Sequence, residues 1–181
     1  MSDYGVVLDA GTVRFERVLP GPIERVWEFL TDPVQRAKWF AGGPIEPRVG
    51  GKFEMRFKHR NLMTTDEPVP EKYKDVTDKG MTFQSEATRW EPPRVLGFAF
   101  SEPKEGIAPS EVTFELTPEG RNVRLVLTHR RLPTRAEMAD VSGGWHLHLD
   151  MLAARLEGRT PPPMWATHSK LEAAYEERFA K

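Results

Sequence analysis

The chain has 181 residues, 39% hydrophobic and 29% charged, with acids and bases balanced to a formal charge of −1. This is the composition of one soluble globular domain, large enough to bury a core, and it lacks the clustered basic excess of a nucleic-acid partner. No apolar run approaches a membrane span, the start "MSDYGVVLDAG" does not read as a signal peptide, and the lack of cysteine excludes disulfides and thiolate sites, so a cytoplasmic setting is expected.

"TVRFERVLPG" sets Val13, Phe15 and Arg17 against Arg14, Glu16 and Val18, predicting a first strand from about residue 12. It breaks at Pro20-Gly21-Pro22. Ile23, Val26, Trp27 and Leu30 then recur at the spacing of an amphipathic helix. That helix stops at "TDP", where Asp32 caps a second short helix, "PVQRAKWF". Beyond Gly42 the texture turns to short alternating runs. Phe53, Met55 and Phe57 share one strand face; Met81, Phe83, Ser85, Ala87 and Arg89 share another. A one-residue slip in the latter would expose Arg89 and bury Trp90. Leu96, Phe98 and Phe100, then Val112, Phe114 and Leu116, then Val123, Leu125, Leu127 and His129 complete the inward positions. The short links predict antiparallel pairing. Between Lys58 and Gly80, "HRNLMTTDEPVPEKYKDVTDK" is too long for a hairpin loop, and reads as a lid or a disordered excursion.

After Pro133, Thr134 and Glu137 form a capping box. Val141, Trp145, Leu149, Leu152 and Leu156 make one apolar stripe ending at Gly158. A proline hinge, "TPPPM", leads to a last helix at about residues 163–180, with Leu171, Tyr175 and Phe179 at helical spacing.

Within that stripe, "SGGWHLHLDMLAARLEG" carries the chain's most reactive-looking residues. His146 and His148 point about 200° apart on a helix and cannot share one metal. His146 and Asp150, with Ser142 and Glu157, form a polar stripe expected to face solvent. His148 flanks the apolar stripe, either as a partly buried histidine with a backbone partner or as a titrating pocket group. Gly143 and Gly144 mark either a helix start with Ser142 as a second cap or a close approach to a neighbouring backbone. His129 is inward by alternation, as a satisfied core residue or a ligand-orienting one. No nucleophile elbow, phosphate loop, dinucleotide fingerprint or metal-binding pair occurs, so neither a metal nor a cofactor is expected. The aromatic residues on predicted inward faces, among them Trp39, Phe57, Phe83, Phe98, Phe114 and Trp145, are core packing or the wall of a cavity.

The segments "FERVLPGPIERVWEFLTDPVQRAKWF", "VGGKFEMRF", "WEPPRVLGFAF", "VTFELTPEGRNVRLVLTHRRLP" and "GWHLHLDMLAARLEG" resemble, in that order, the bacterial SRPBCC proteins named after the activator of heat-shock protein 90 ATPase. The resemblance spans about residues 12–158 of a single START-like domain. It implies an α+β helix-grip fold: a curved antiparallel sheet around a long helix, two short helices after the first strand and, in this chain, an extra tail helix. By that likeness Trp39, Phe57, His129, Trp145, His148, Leu149 and Leu152 would line a cavity, with residues 59–79 near its mouth. Three functions are implied. The first is binding of a small, mainly hydrophobic molecule. The second is cyclase- or hydrolase-type chemistry through His129 or His148. The third is a protein-interaction role, as a chaperone co-factor or a homodimer, through Trp165, Leu171, Tyr175 and Phe179. No counterpart of the eukaryotic activator's additional amino-terminal domain is expected from the residues before 12.

Overall fold

A computed structural model describes residues 3–100 and 106–180. Strands β1 (Val6–Asp9) and β2 (Thr12–Pro20) lead into helices α1 (Ile23–Thr31) and α2 (Pro33–Arg36). Strand β3 (Lys52–Phe57) is followed by two short 3-10 turns (His59–Leu62 and Glu71–Tyr73) and α3 (Lys74–Asp78). Strands β4 (Met81–Glu91), β5 (Val95–Ala99), β6 (Glu111–Glu119) and β7 (Asn122–Arg130) precede α4 (Arg135–Leu156) and α5 (Met164–Phe179). The seven strands form one antiparallel sheet in the order β1-β2-β7-β6-β5-β4-β3. β2 and β7 are second and last in chain order yet adjacent, because the meander β3 to β7 folds back to meet the first hairpin.

The inward residues of these strands are those the period of two selects. Val13, Phe15, Phe53, Met55, Phe98, Phe114, Leu125 and Leu127 are buried in one core cluster with residues of α4 and α5. At the N-terminus of α4, the Thr134 hydroxyl accepts the Glu137 amide at 3.1 Å as N-cap and donates to the Glu137 carboxylate at 2.9 Å, which ties the two residues of the expected box together. Asp32 caps α2 by accepting the amides of Val34 (2.9 Å) and Gln35 (2.8 Å).

Several expectations need correction. A strand, β1, precedes the one at residue 12; its residues are all exposed, so no inward face marked it in the sequence. The slip in β4 is the arrangement found. An irregularity between Ala87 and Arg89 turns Arg89 outward to pair with Glu91 and lets Trp90 pack on Trp27 at 5.3 Å. α4 runs unbroken through Ser142, which therefore caps nothing. A Cβ added to Gly143 would lie 3.4 Å from the Glu172 backbone nitrogen, so this glycine allows α5 to approach. α5 covers part of the expected solvent face of α4: Ser142 and His146 are buried there, while Asp150 is half-buried and Glu157 exposed.

A buried cation also escaped the sequence reading. The Arg36 guanidinium, 1% exposed, donates to the carbonyls of Ala41 (2.8 Å), Thr31 and Gly42 (both 3.2 Å), and also of Gly43. It gathers the end of α1 and the 41–43 turn around one fork of donors. Burial lowers its pKa to about 10, which leaves it charged at neutral pH.

Candidate functional site

The space between the sheet and α4 is packed rather than open. Trp39 lies edge-on to Phe114 (6.3 Å) and stacks with Phe40 (5.5 Å), and Phe114 meets Trp145 at 5.9 Å. The Trp39 indole N–H donates to the Phe29 carbonyl at 2.8 Å, fixing the chain after α2 against α1. Phe53 and Phe98 stack at 4.5 Å, and Leu149 and Leu152 are fully buried against this layer.

His129 belongs to the same packed layer. The Trp145 indole N–H donates to His129 Nδ1 at 3.1 Å, and an indole can only donate. The imidazole proton therefore sits on Nε2, where it donates to the Ser110 hydroxyl at 3.1 Å. Burial lowers the His129 pKa to about 3, so the ring is neutral and both nitrogens are used.

The cleft lies beside this packed layer. Its volume is about 200 Å³, and it opens between α4, α5 and the segment that follows β3. From the sheet side come Phe40, Phe57 and Phe100; from α4 come Asp140, Val141, Gly144, Trp145, Leu147 and His148. His59 and Tyr73 are supplied by the 58–80 segment, and Met164, Trp165 and His168 by α5. Of the ten residues put forward from the sequence, Phe57, Trp145 and His148 line this cleft. Trp39, Phe98, Phe114, His129, Leu149 and Leu152 lie in the layer beneath it, and Phe83 is half-buried on β4 opposite Met55.

The 58–80 segment is held over the cleft by α5. That helix has Pro163 at its N-cap, which offers no side-chain oxygen. Glu67 fills the role from across the chain, accepting the amides of Trp165 (3.1 Å) and Ala166 (2.9 Å). Tyr73 stacks on Trp165 at 4.7 Å, and Lys72 pairs with Glu172. The segment is thus a strapped lid.

The polar atoms of the cleft differ from those of the packed layer. His148 Nδ1 lies 2.6 Å from the Trp39 carbonyl, which can only accept, so Nδ1 carries the proton. Burial, then the neighbouring His59, lowers the His148 pKa to about 3. Burial, then His168, lowers that of His59 to about 4. His168 is shifted down as well, by burial first, against the opposing pull of Glu172. His59 Nδ1, His168 Nδ1 and the Trp165 indole N–H are buried and have no hydrogen-bond partner. Among the described residues, no group of three or more histidine, aspartate or glutamate side chains is arranged to hold a metal ion.

Sequence reasoning missed Phe40, His59, Tyr73, Phe100, Met164, Trp165 and His168 as cleft residues. Phe40 and Phe100 had been recognised as apolar, and the lid as near the mouth. Nothing in their spacing assigns His59, Trp165 or His168 to one site, because they come from segments about 100 residues apart.

Residues 20–157 match the family described as Activator of Hsp90 ATPase homolog 1-like protein. The solution structure of the protein encoded by gene BPP1335 from Bordetella parapertussis is 48% identical, with a TM-score of 0.82 over 98% of this chain and 91% of that one. CalU16 from Micromonospora echinospora shares the fold at 23% identity and a TM-score of 0.67, over 94% and 89% of the two chains. DynU16, from the dynemicin biosynthetic locus, is 26% identical with a TM-score of 0.62, over 87% of this chain and 51% of that one. No protein of curated function matches the chain. None of the helices is long and apolar enough, among the described residues, to cross a membrane. With the family matched over most of its length and the sheet wrapped on α4 as described, this chain belongs to the Activator of Hsp90 ATPase homolog 1-like family and has its helix-grip fold.

Proposed function

We propose that this protein binds a small, mainly apolar molecule in the cleft between α4, α5 and the strapped lid. One observation carries this reading: a cleft walled by aromatic rings in which buried polar atoms of three residues have no protein partner. Buried polar groups in proteins are nearly always hydrogen-bonded, so a cluster of exceptions in one concave apolar site marks a place for a ligand. The cleft, about 200 Å³, is small. A cavity of about 150 Å³ takes one benzene ring, so this one suits one or two fused rings, or one end of a larger molecule. The DynU16 likeness adds modest support, since that protein comes from a biosynthetic locus for a small molecule. A cytoplasmic setting is part of the proposal and fits a chain without cysteine.

The acid–base alternative is less favoured. Burial pushes the pKa of both His129 and His148 down to about 3, far from the neutral range in which a general acid or base works best. The partner-protein alternative relied on an exposed apolar face of α5, and Trp165, Leu171, Tyr175 and Phe179 are instead buried.

Native mass spectrometry of freshly purified protein, before and after denaturing release, tests the reading. Gly144 is the position to block, since a Cβ there meets nothing within 4 Å and a larger side chain would fill the cleft. A small molecule retained by the native protein and lost in Gly144→Leu is the expected result. The same molecule retained in Gly144→Leu would place binding elsewhere and end this proposal.

A further inference from the structure

The hydrogen-bonding atoms of the cleft specify more than an apolar guest. Each contributes a defined role. The Trp165 indole N–H is a donor and nothing else. His148 donates through Nδ1 to the Trp39 carbonyl, so its Nε2 is a bare acceptor at neutral pH. His59 and His168 each have an unpartnered Nδ1, and a neutral imidazole adapts that atom to donate or accept by its tautomer. These four rings are in sequence around the cleft. His148 and His59 lie 6.3 Å apart between ring centroids, His59 and Trp165 5.6 Å, and Trp165 and His168 5.7 Å.

From this arrangement we infer that the ligand is an uncharged aromatic alcohol, a phenol in the chemical sense, whose hydroxyl enters among these rings. The inference rests on the cleft being a ligand site, as proposed above. A hydroxyl satisfies both fixed partners at once: it donates to His148 Nε2 and accepts from the Trp165 N–H. A plain hydrocarbon leaves both unmatched. A carboxylate is opposed on three counts. Its lone pairs would face that of His148, none of the cleft-lining side chains is a lysine or arginine, and the one ionised side chain in the lining is Asp140, an acid. An ammonium ion would give up its hydration for neutral imidazoles alone, since the one carboxylate of the lining, Asp140, is exposed. A flat ring suits the aromatic lining, where Trp145 stacks with Phe40 at 5.1 Å and Tyr73 with Trp165 at 4.7 Å.

The test compares three probes of nearly equal shape: 2-naphthol, naphthalene and 2-naphthoate, titrated at pH 7 into the full chain and into Trp165→Phe. At that pH the naphthol is neutral and the naphthoate ionised, by the ordinary acidity of phenols and carboxylic acids. Binding is read by chemical-shift changes of the cleft methyl and aromatic signals, which also report whether the variant is folded. The expected result is naphthol binding at least about tenfold tighter than either other probe, the worth of one well-made buried hydrogen bond. In Trp165→Phe that preference over naphthalene should shrink several-fold while naphthalene binding holds. Equal binding of naphthol and naphthalene to the natural chain would overturn the phenol inference and leave an apolar cleft standing. Tightest binding by naphthoate would overturn it in favour of an anion site. Failure of all three probes would count against the cleft as a ligand site, and the phenol inference would fall with it.

Discussion

Trp145 and Trp165 are both buried, both in contact with histidines and both part of the cleft lining, yet their indole N–H groups meet different fates. That of Trp145 ends on His129, whose other nitrogen is bonded to Ser110. That of Trp165 has no partner. The first belongs to a closed network within the sheet–α4 layer. The second belongs to the lid–α5 side, where three residues keep a polar atom unpaired. The contrast separates two uses of buried polarity. A satisfied network fixes a core; an unsatisfied one in a concave site is complementary to something else.

Acidification strikes both sides and should have the largest effect. An unfolded histidine takes up its proton near pH 6.5, whereas His59, His129 and His148 resist until about 4, 3 and 3. Below pH 6.5 the unfolded chain therefore binds more protons, and stability falls as pH falls. Each histidine contributes up to about 1.4 kcal/mol per pH unit until its folded pKa is reached. Urea unfolding at pH 7.5, 6 and 5 should give steadily lower midpoints; a flat profile would mean that these rings are not held neutral by burial.

On the packed side, Trp39→Ala should cost about 3–5 kcal/mol, because it opens a cavity beneath Phe40 and Phe114 and strips the bond to Phe29. Thermal unfolding would report it as a large drop in Tm.

The matched pair Trp145→Phe and Trp165→Phe sharpens the comparison directly. The former leaves His129 Nδ1 buried without its donor; the latter breaks no hydrogen bond. The two costs should differ by about 1–3 kcal/mol, Trp145→Phe being the worse. Equal costs would erase the distinction between the two sides.

A smaller effect concerns the strap. Glu67→Ala removes the carboxylate that caps α5 and should cost about 0.5–2 kcal/mol. Hydrogen exchange should quicken at the Trp165 and Ala166 amides and across residues 59–79, with β2 and β7 unchanged. Exchange confined to the lid, with those two amides still protected, would show that α5 has another cap.

How much of this was legible in the sequence follows from the range of each interaction. The inward faces of β2, β3, β6 and β7, the Asp32 cap and the Thr134–Glu137 box are local, set within a few residues, and they stand where period and capping chemistry put them. The slip in β4 was visible as an alternative, because alternation constrains faces only as long as no residue is inserted into the ladder. β1 was invisible, since an exposed edge strand carries no inward pattern.

The polar face of α4 shows where local reading stops. His146 and Asp150 have the spacing of a solvent-facing pair, and the helical arithmetic is right. Yet His146 lies 2.9 Å from the Tyr175 hydroxyl, which also accepts the Gly5 amide, and Arg17 reaches Asp150 at 3.1 Å from β2. Whether a helix face is wet depends on what else packs there, here α5 and the first residues of the chain. The cleft is of the same kind. Sequence alone determined a helix-grip order of elements, the aromatic inward faces and a lid-sized insertion. Tertiary structure alone decided that the space under α4 would be filled and that the cleft would open beside it, between α4, α5 and the lid. The reason is that filling a cavity and satisfying a polar atom are properties of all the groups around a point. In this chain those groups come from β3, the lid, α4 and α5, segments whose separation in sequence carries no trace of their meeting.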